Sequence, residues 1–498
     1  MSEPAPPPPA AVAETHISTV LFDGDLAVKR YKPVRTGFLD HTTVEGRRVD
    51  CEREVALNRR LAPDVYLGVA EVRDPDGEVC DHLVLMRRLD PARRLATLAR
   101  AGGGRDEVAA VARRMAEFHA GAARSAEISA VATPEALAAR WRADLAETAA
   151  TGVGRERAAR LDRLADLAER SIRARRPLLE ARIAGGHVVD GQGDLLADDI
   201  FCLDDGPRIL DCLAFADELR WGDEVADLAF LAMDLEHLGR PDLADHLWAT
   251  SAEASGAVAP GALVDLSVAQ RAVVRAKVHA LRADQLAVGD PARVEEARVV
   301  DEFCALALAH LERSEPRVVL VGGGPGTGKS TLARALAADR GWALVRSDEV
   351  RRELLGPTAG AGGPPLGAGR YAPEVSDRVY TEVVRRGLAA VGDGAGAVLD
   401  ASWHSAAARR LALDAADAAG ARVTALRATA PDDVCRARVA RRAEKGVDAS
   451  EATPEVVRWM ADRFDPWPDA VVVDTSGPKE ASREAAVTAL GPSPSDVR

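Results

Sequence analysis

The chain has 498 residues, of which 47% are hydrophobic and 29% charged, and its formal net charge is −13 at pH 7. This length predicts two or three domains, and the acidic balance argues against broad binding to nucleic acid or to an anionic membrane. Six scattered cysteines without a CxxC pair argue against a zinc site and indicate a reducing compartment, the cytoplasm. No run approaches the roughly 20 apolar residues of a membrane helix.

The first elements predicted along the chain are strands. Residues 1–15 are rich in proline, and we expect them to form a disordered tail. Apolar residues then alternate around Asp23 and Gly24, which predicts a strand, a turn and a second strand. A helical pattern at residues 51–62 precedes two more strands, which flank the DPDG turn at residues 74–77.

A helical pattern follows these strands. Residues 95–182 are rich in Ala, Leu, Arg and Glu at helical spacing, and an acidic hairpin interrupts the helices at residues 191–212. The pattern predicts a two-lobed α+β domain over residues 16–312, with a small lobe at about 16–92 and a helical lobe at about 93–312.

A polar joint at residues 313–316 precedes a different pattern. From residue 317 to about residue 474, short apolar strands alternate with helices. That alternation predicts an α/β domain with a parallel sheet over residues 317–498. Because the joint resembles a boundary between independent cores, we expect this half to fold and bind nucleotide alone.

A complete phosphate-binding motif follows the first strand of this second pattern. The segment fits G-x-x-x-x-G-K-[ST], and an apolar strand before it and a helix after it supply the required context. Its backbone N–H groups are expected to surround phosphate, the lysine to neutralise phosphate charge and the serine to bind Mg²⁺. The nucleotide-binding residues are Gly323, Gly324, Pro325, Gly326, Thr327, Gly328, Lys329, Ser330 and Thr331.

Three further features in this half indicate phosphoryl transfer. Asp348 follows the second strand and could accept a hydroxyl proton, and Asp400 ends the third strand and could bind Mg²⁺. Arg438 and Arg442 are one turn apart on a basic helix and could close as a lid on the transferring phosphoryl group. The alternatives are a helix cap for Asp348 and a solvated basic face for the arginines.

These features resemble the P-loop kinases of the gluconate kinase, polynucleotide kinase and zeta-toxin type. The resemblance covers nearly all of residues 317–476 and implies ATP-dependent phosphorylation of a hydroxyl, with Asp348 as base and the arginine helix as lid. It does not identify the acceptor, because this group acts on sugars, nucleic-acid ends and other metabolites. We expect selectivity to lie in the Gly/Pro-rich loop at residues 356–374.

The acidic hairpin carries the spacing of a second phosphotransfer site. Protein-kinase chemistry needs an Asp that receives the hydroxyl proton, a metal ligand five residues later and a second metal-binding Asp after a hairpin. Asp194, Asp199 and Asp211 have this spacing, and upstream Lys29 could pair with Glu54 to hold ATP phosphates. The alternative is an acidic surface turn.

This region resembles the aminoglycoside phosphotransferase-like kinases, whose loop reads H-G-D-x-x-x-x-N before a metal-binding Asp. The likeness covers roughly residues 16–312, and the whole chain is similar to bacterial fusions of such a domain with a P-loop kinase. Here Gln192 replaces the usual His, Asp199 replaces the usual Asn, and Leu196 occupies a commonly polar position. The additional charge of Asp199 attracts Mg²⁺ but repels ATP phosphates.

The sequence thus predicts a cytoplasmic phosphotransferase that uses ATP and Mg²⁺ on a small hydroxyl compound, with at least the C-terminal site active. A second hypothesis makes the C-terminal half a nucleotide- or polynucleotide-end kinase, which the balanced charge beyond residue 316 disfavours. A third hypothesis is a regulatory protein in which the N-terminal half is a pseudokinase that binds ATP.

Overall fold

The structure is a computed structural model, and it describes residues 11–14, 17–35, 40–356, 369–394, 396–445, 457–458, 460 and 462–491. The chain divides into two units. The N-terminal unit comprises residues 1–158, 181–259 and 267–307. The C-terminal unit comprises residues 159–180, 260–266 and 308–498.

The N-terminal unit begins with an antiparallel sheet of five strands in the order β1-β2-β3-β5-β4. The predicted turn at Asp23 and Gly24 joins β2 to β3, and Gly24 has a φ of 53°. Strand β1 lies inside the stretch that we expected to be a disordered tail, and it pairs with β2 from Ala11 to Glu14. The strands are β1 (Ala11–Glu14), β2 (Ser18–Asp23), β3 (Leu26–Tyr31), β4 (Tyr66–Arg73) and β5 (Val79–Arg87).

One helix packs on this sheet. Helix α1 (Val44–Asn58) starts earlier than the predicted helix because the Thr43 side chain accepts the backbone N–H of Gly46 and caps its first turn. Its buried face includes Cys51 and Val55, which form a core with residues of β3, β4 and β5. The same face carries a buried carboxylate, Glu54, into the small lobe.

The chain from residue 95 to residue 313 is mainly helical, as the periodicity indicates, and most of it belongs to the N-terminal unit, whereas residues 159–180, 260–266 and 308–313 belong to the C-terminal unit. Short antiparallel pairs are set among the helices: β6 (Val188–Asp190) with β9 (Trp221–Asp223), and β7 (Ile200–Leu203) with β8 (Gly206–Ile209). The helices between residues 95 and 313 are α2 (Leu95–Arg100), α3 (Arg105–Gly121), α4 (Ala126–Ala130), α5 (Pro134–Ala150), α6 (Gly152–Arg155), α7 (Ala158–Ala174), α8 (Arg176–Ala184), α9 (Asp217–Arg220), α10 (Glu224–His237), α11 (Pro241–Ser255), α12 (Gly261–Gln285) and α13 (Pro291–Arg313).

The C-terminal unit contains a five-stranded parallel sheet in the order β11-β12-β10-β13-β14, so the predicted α/β fold class is confirmed. The strands are β10 (Arg317–Gly322), β11 (Ala343–Arg346), β12 (Ala397–Asp400), β13 (Arg422–Thr429) and β14 (Val471–Asp474). The helices are α14 (Lys329–Arg340), α15 (Ser347–Leu355), α16 (Pro373–Gly392), α17 (Ala406–Ala418), α18 (Asp432–Lys445) and α19 (Lys479–Leu490).

The C-terminal unit also includes residues from an earlier part of the chain. Ala174, at the end of α7, belongs to the buried cluster that contains Val318 and Leu320 of the central strand. The neighbouring Arg175 is 2% exposed, and its guanidinium donates to the backbone carbonyl of Ser314. Among the described residues, no helix has both the length and the apolar character needed to cross a membrane.

Candidate active sites

The first predicted pair of the N-terminal unit is in contact. The ammonium Nζ of Lys29 on β3 lies 2.8 Å from Oε1 of Glu54 on α1. The hydroxyl of Tyr31 donates to the other carboxylate oxygen, Oε2. Both oxygens of this buried carboxylate are therefore occupied, which holds the lysine ammonium in place against the sheet.

Asp211 lies next to this pair. Its Oδ1 is 3.5 Å from Lys29 Nζ, and its backbone N–H donates to the Tyr66 hydroxyl at 3.4 Å. Asp211 has a φ of 56°, a left-handed conformation that Asp tolerates better than most residues. Burial acts to lower the pKa of Lys29, but the charges of Glu54 and Asp211 outweigh it and raise that pKa well above the usual value.

The loop that carries Asp194 is held by a carboxylate from another helix. Asp227 on α10 accepts the backbone N–H groups of Gln192 and Gly193, each at 2.9 Å, and its Oδ2 lies 2.9 Å from Nε2 of His119. Gly193 has a φ of 90°, and a Cβ there would lie 3.0 Å from Cα of Arg220. The loop conformation therefore requires glycine directly before Asp194.

Gln192, which replaces the usual histidine, joins the two acidic segments. Its Nε2 donates to the carbonyl of Leu210 at 3.0 Å, and its Oε1 accepts the backbone N–H of Asp194 at 2.6 Å. The side chain thus donates and accepts at the same time. Leu210 directly precedes Asp211, so one amide links the Asp194 loop to the Asp211 segment.

Three carboxylates of the hairpin influence one another. Burial is the main cause that raises the pKa of Asp194 to about 6, with Asp211 adding to the rise and Arg275 and Arg271 opposing it. The pKa of Asp199 is raised well above its usual value by burial and by Asp211 and Asp194. Because Asp194 and Asp199 are half-buried, this arrangement argues against a simple acidic surface turn.

The predicted metal ligands do not form a complete cation site by themselves. Within the described ranges, no three His, Cys, Asp or Glu side chains are grouped so that they could hold a metal ion. Magnesium bound with a nucleotide takes only one or two carboxylates, because the phosphates and water supply the other ligands. Asp199 and Asp211 in the N-terminal unit, and Ser330 and Asp400 in the C-terminal unit, fit that smaller donor set.

The phosphate-binding motif forms a tight loop between β10 and α14. Gly326 and Gly328 have φ values of 80° and 85°, and a Cβ on Gly326 would lie 2.4 Å from the carbonyl oxygen of Cys435. The Thr327 hydroxyl donates to the Gly324 carbonyl at 2.8 Å and closes the turn. Helix α14 begins at Lys329, so Ser330 and Thr331 lie in its first turn.

Asp348 lies in the first turn of α15, directly after β11. Burial is the main cause that raises the pKa of its carboxyl, and Asp400 raises it further. Lys329 is the strongest of the charges that oppose this rise. The P-loop lysine and the two predicted carboxylates therefore occupy the same electrostatic environment.

Asp400 ends β12 and is 3% exposed. Its Oδ2 accepts a hydrogen bond from Nε of Arg346 at 3.1 Å, and Arg346 also donates to Glu349 at 2.7 Å. The other oxygen, Oδ1, is buried and has no hydrogen-bond partner in the described part of the chain. A buried anionic oxygen without a partner is costly, so this atom fits a direct or water-mediated contact with a cation.

The predicted lid arginines are described only in part. Arg438 donates from NH1 to the carbonyl of Gly326 at 3.2 Å and from NH2 to the carbonyl of Thr475 at 2.7 Å. Arg438 thus contacts the phosphate loop itself. The side chain of Arg442 and residues 357–368 of the predicted selectivity loop lie outside the described residues.

Sequence reasoning missed the anchors of both loops. Asp227 lies in the first turn of α10 and is followed by six apolar residues, 228–233, so an acid next to this apolar run was an available signal. Thr475 follows β14, and its hydroxyl donates to the carbonyl of Thr327 at 2.5 Å. No local pattern distinguishes Thr475, because its partner lies 148 positions earlier in the chain.

Comparison with known proteins gives a domain match and full-length relatives. A family model described as an AAA domain matches residues 318–467. The chain is 40% identical over 481 residues to uncharacterized protein Rv2004c of Mycobacterium tuberculosis, a match covering 95% of this chain and 93% of the relative. The same values hold for uncharacterized protein Mb2027c of Mycobacterium bovis.

Two kinds of solved structure are similar to different parts of the chain. A choline/ethanolamine kinase family protein from Mesorhizobium loti is 15% identical, with 61% of this chain and 92% of that chain covered and a TM-score of 0.35. A sugar kinase from Janibacter sp. is 18% identical, with 36% of this chain and 97% of that chain covered and a TM-score of 0.28. On the full-length identity with the mycobacterial relatives, this chain belongs to their protein family.

Proposed function

We propose that this protein is a phosphotransferase that uses ATP and Mg²⁺ to phosphorylate a hydroxyl of a small molecule. It has two nucleotide sites, and the C-terminal P-loop site is active. The observation that carries this proposal is that Lys329 of the phosphate loop is the strongest charge opposing the burial-raised pKa of the Asp348 carboxyl, so the two groups share one electrostatic environment. Phosphoryl transfer to a hydroxyl needs a phosphate-binding loop next to a carboxylate that can take the proton of the acceptor.

In the C-terminal site, the P-loop amides and Lys329 bind the phosphates. Asp348 takes the proton of the acceptor hydroxyl, the hydroxyl oxygen forms a bond to the γ-phosphorus, and ADP leaves. Ser330 and Asp400 would hold Mg²⁺, which neutralises phosphate charge when it is bound. Arg438 and Arg442 stabilise the transferring group, and for this Arg438 exchanges a carbonyl partner for phosphate oxygen.

In the N-terminal site, Lys29 binds ATP phosphates while Glu54 fixes its position. Asp194 is the base, and with a pKa of about 6 its carboxyl is mostly ionised at neutral pH. Asp199 and Asp211 would hold Mg²⁺. The charge of Asp199 offsets part of the phosphate binding, and this favours the C-terminal site as the more active one.

A specific observation keeps a regulatory role as the second candidate function. Asp199 stands where the similar kinases carry Asn, and its carboxyl has a raised pKa because of burial and of Asp211 and Asp194. A site with this mutual repulsion could bind ATP without transferring phosphate. Such a pseudokinase would regulate the P-loop unit. Nucleic acid is the less favoured acceptor, because charge beyond residue 316 is balanced.

The test is ADP release by the full-length protein with pooled hydroxyl metabolites. Lys329→Ala removes the P-loop charge, Asp194→Asn removes the N-terminal base, and the double variant removes both. Lys479→Ala and Asp198→Asn are the matched controls, because both residues are exposed. Loss of most turnover in Lys329→Ala alone supports an active C-terminal site.

The same variants separate the alternatives. If Asp194→Asn leaves turnover unchanged in both backgrounds while ATP still binds the N-terminal site, that half is a pseudokinase. If no pool of metabolites raises ADP release above the rate measured without an acceptor, the phosphotransferase proposal is wrong. Phosphorylation of oligonucleotide ends, but of no small metabolite, would identify the C-terminal half as a polynucleotide-end kinase.

A further inference from the structure

Arginines on two helices of the N-terminal unit lie close to the proposed base. Arg271 and Arg275 are one turn apart on α12, and both lower the pKa of Asp194. Arg140 on α5 is close enough to Arg271 to lower its pKa in turn. Two positive side chains of one helix, Arg271 and Arg275, thus act on the Asp194 carboxyl, and Arg140 acts on Arg271.

Arg271 is held rigidly but keeps free donors. Its side chain is buried, with 7% exposed, and its Nε donates to the carbonyl of Ala226 at 3.0 Å. Its guanidinium carbon Cζ lies 4.5 Å from the centroid of the Phe230 ring. Ala226 directly precedes Asp227, which anchors the Asp194 loop. In the part of the chain that the structure describes, NH1 and NH2 of Arg271 have no hydrogen-bond partner.

Arg275 has no fixed partner in the part of the chain that the structure describes. It is half-buried and influences Asp194, Asp234, His237 and His279 electrostatically. Among the described residues, its guanidinium makes no hydrogen bond and no ion pair.

Most of the nearby polar groups are bonded elsewhere, although Oδ2 of Asp144 is buried and has no hydrogen-bond partner in the described part of the chain. Asp234 accepts the backbone N–H of Ala197 at 2.8 Å, and Nδ1 of His279 contacts Glu296. Asp144, the acid on α5, has its Oδ1 2.6 Å from the ammonium of Lys277. None of these acids makes a hydrogen bond or an ion pair with Arg271 or Arg275 among the described residues.

Guanidinium N–H groups that lose water without gaining an acceptor are costly in a protein. In the described part of the chain, this applies to NH1 and NH2 of the buried Arg271 and to the whole guanidinium of the half-buried Arg275. The two side chains lie one helical turn apart, and each guanidinium is a planar fork of N–H donors. This geometry matches the oxygens of a carboxylate or of a phosphate group. A cationic acceptor, by contrast, would meet positive charge beside the proposed base.

We propose that the acceptor of the N-terminal site is a small hydroxyl compound that carries a carboxylate or a phosphate group, which Arg271 and Arg275 bind while Asp194 faces the hydroxyl. Arg140 on α5 adds positive charge near Arg271. This inference rests on the proposed function, since it assumes that Asp194 receives the hydroxyl proton. It specifies the chemical class of substrate that the site selects.

The first test measures binding to the full-length protein in a Lys329→Ala background, which weakens phosphate binding at the P-loop. Calorimetry compares glycerate and glycerol 3-phosphate with uncharged glycerol and with cationic ethanolamine. We expect at least one anion to bind and the other two probes not to bind. Arg275→Gln should lower the affinity for that anion about ten-fold or more, because charge-assisted hydrogen bonds are lost. Arg275→Lys should retain part of the affinity.

Arg282→Gln is the matched control, because it removes one positive charge from the exposed end of the same helix. Its anion affinity should equal that of the background protein. Arg271→Lys supplies a second, conservative change at the buried position. Glycerate binding without glycerol 3-phosphate binding assigns a carboxylate, and the reverse assigns a phosphate. Preference for glycerol or ethanolamine, or equal anion affinity in Arg275→Gln, overturns the proposal.

The second test measures ADP release with the same four acceptors in the same background. Turnover of an anionic acceptor, with KM raised in Arg275→Gln and the KM for ATP unchanged, supports the proposal. If Arg275→Gln shifts the pH dependence of turnover to higher pH but leaves the KM for the acceptor unchanged, the arginine only balances the charge of Asp194. The proposal is then wrong. Anion binding that depends on Arg275 without turnover would instead refute the N-terminal kinase function and leave an anion site.

Discussion

The carboxylate of Asp227 accepts the backbone N–H of Gly193, the residue directly before Asp194, at 2.9 Å. Burial alone would raise the pKa of Asp227, but the contacts with His119 and with the backbone N–H groups of Gly193 and Gln192 hold it below its usual value. An ionised, buried anchor on α10 thus holds the loop of the proposed base. The position of that base depends on a residue more than 30 positions later in the chain.

Asp227→Asn should destabilise the protein by about 2 kcal/mol, because an amide presents one oxygen to three donors that now share two. Since folding lowers the pKa of Asp227, its contribution is complete above the unfolded pKa of about 3.9 and is lost as the pH falls through the folded pKa. Urea unfolding at pH 7 measures the loss. Asp204→Asn, at a fully exposed position, is the control and should change little. Equal stability of both variants would contradict the anchoring role.

Asp194→Asn should stabilise the metal-free protein at pH 8. The folded pKa of about 6 lies above the unfolded value of about 3.9, so the charged carboxyl costs free energy in the folded state once the pH exceeds the folded pKa. The gain in melting temperature should therefore be largest at pH 7 to 8, about one to two units above that pKa, and should vanish as the pH falls toward about 4. Asp198→Asn, which is exposed, provides the comparison. A gain that is independent of pH would mean that burial of Asp194 is not the cause.

Asp199→Asn introduces the residue that the aminoglycoside phosphotransferase-like kinases carry at this position. It also removes one charge from the cluster of carboxylates formed by Asp194, Asp199 and Asp211. Burial and the charges of Asp211 and Asp194 raise the pKa of Asp199, so the variant should melt at a higher temperature without metal. Mg²⁺ with a nonhydrolysable ATP analogue should then stabilise it less than the parent protein, if Asp199 holds the metal. Both proteins should carry Lys329→Ala, so that the P-loop contributes little. An identical Mg²⁺-dependent shift in both proteins would remove Asp199 from the metal site.

The parts of the fold that sequence could predict were those with local signals. The phosphate loop is contiguous, and its glycines are required by left-handed φ values at Gly326 and Gly328. The contact between Lys29 and Glu54 follows from a strand and a helix that are close in the chain. The Asp227 anchor is different, because a distant helix supplies it through tertiary packing. The assignment of residues 159–180 to the C-terminal unit depends on the same kind of nonlocal packing.

That nonlocal packing leads to a prediction about fragments. A fragment of residues 314–498 lacks Ala174, which is buried in the cluster with Val318 and Leu320. It also lacks Arg175, whose guanidinium binds the carbonyl of Ser314. The fragment should therefore expose apolar surface next to its central strand and lose a buried hydrogen bond. The sequence alone predicts that this half folds and binds nucleotide by itself. With these contacts we expect instead that the fragment aggregates or melts well below the full chain, and that it binds a hydrophobic dye.

A peptide that spans residues 158–184 supplies the missing α7 and α8. Coexpression with this peptide should raise the yield of soluble fragment and restore nucleotide binding at Lys329. A peptide with Ala174→Asp should fail to do so, because it places a charge in the buried cluster that contains Leu320. If the fragment alone is monomeric and binds Mg²⁺-ATP as tightly as the full chain, the P-loop half is an independent domain that begins at the joint. Residues 159–180 would then pack on a core that is already complete without them.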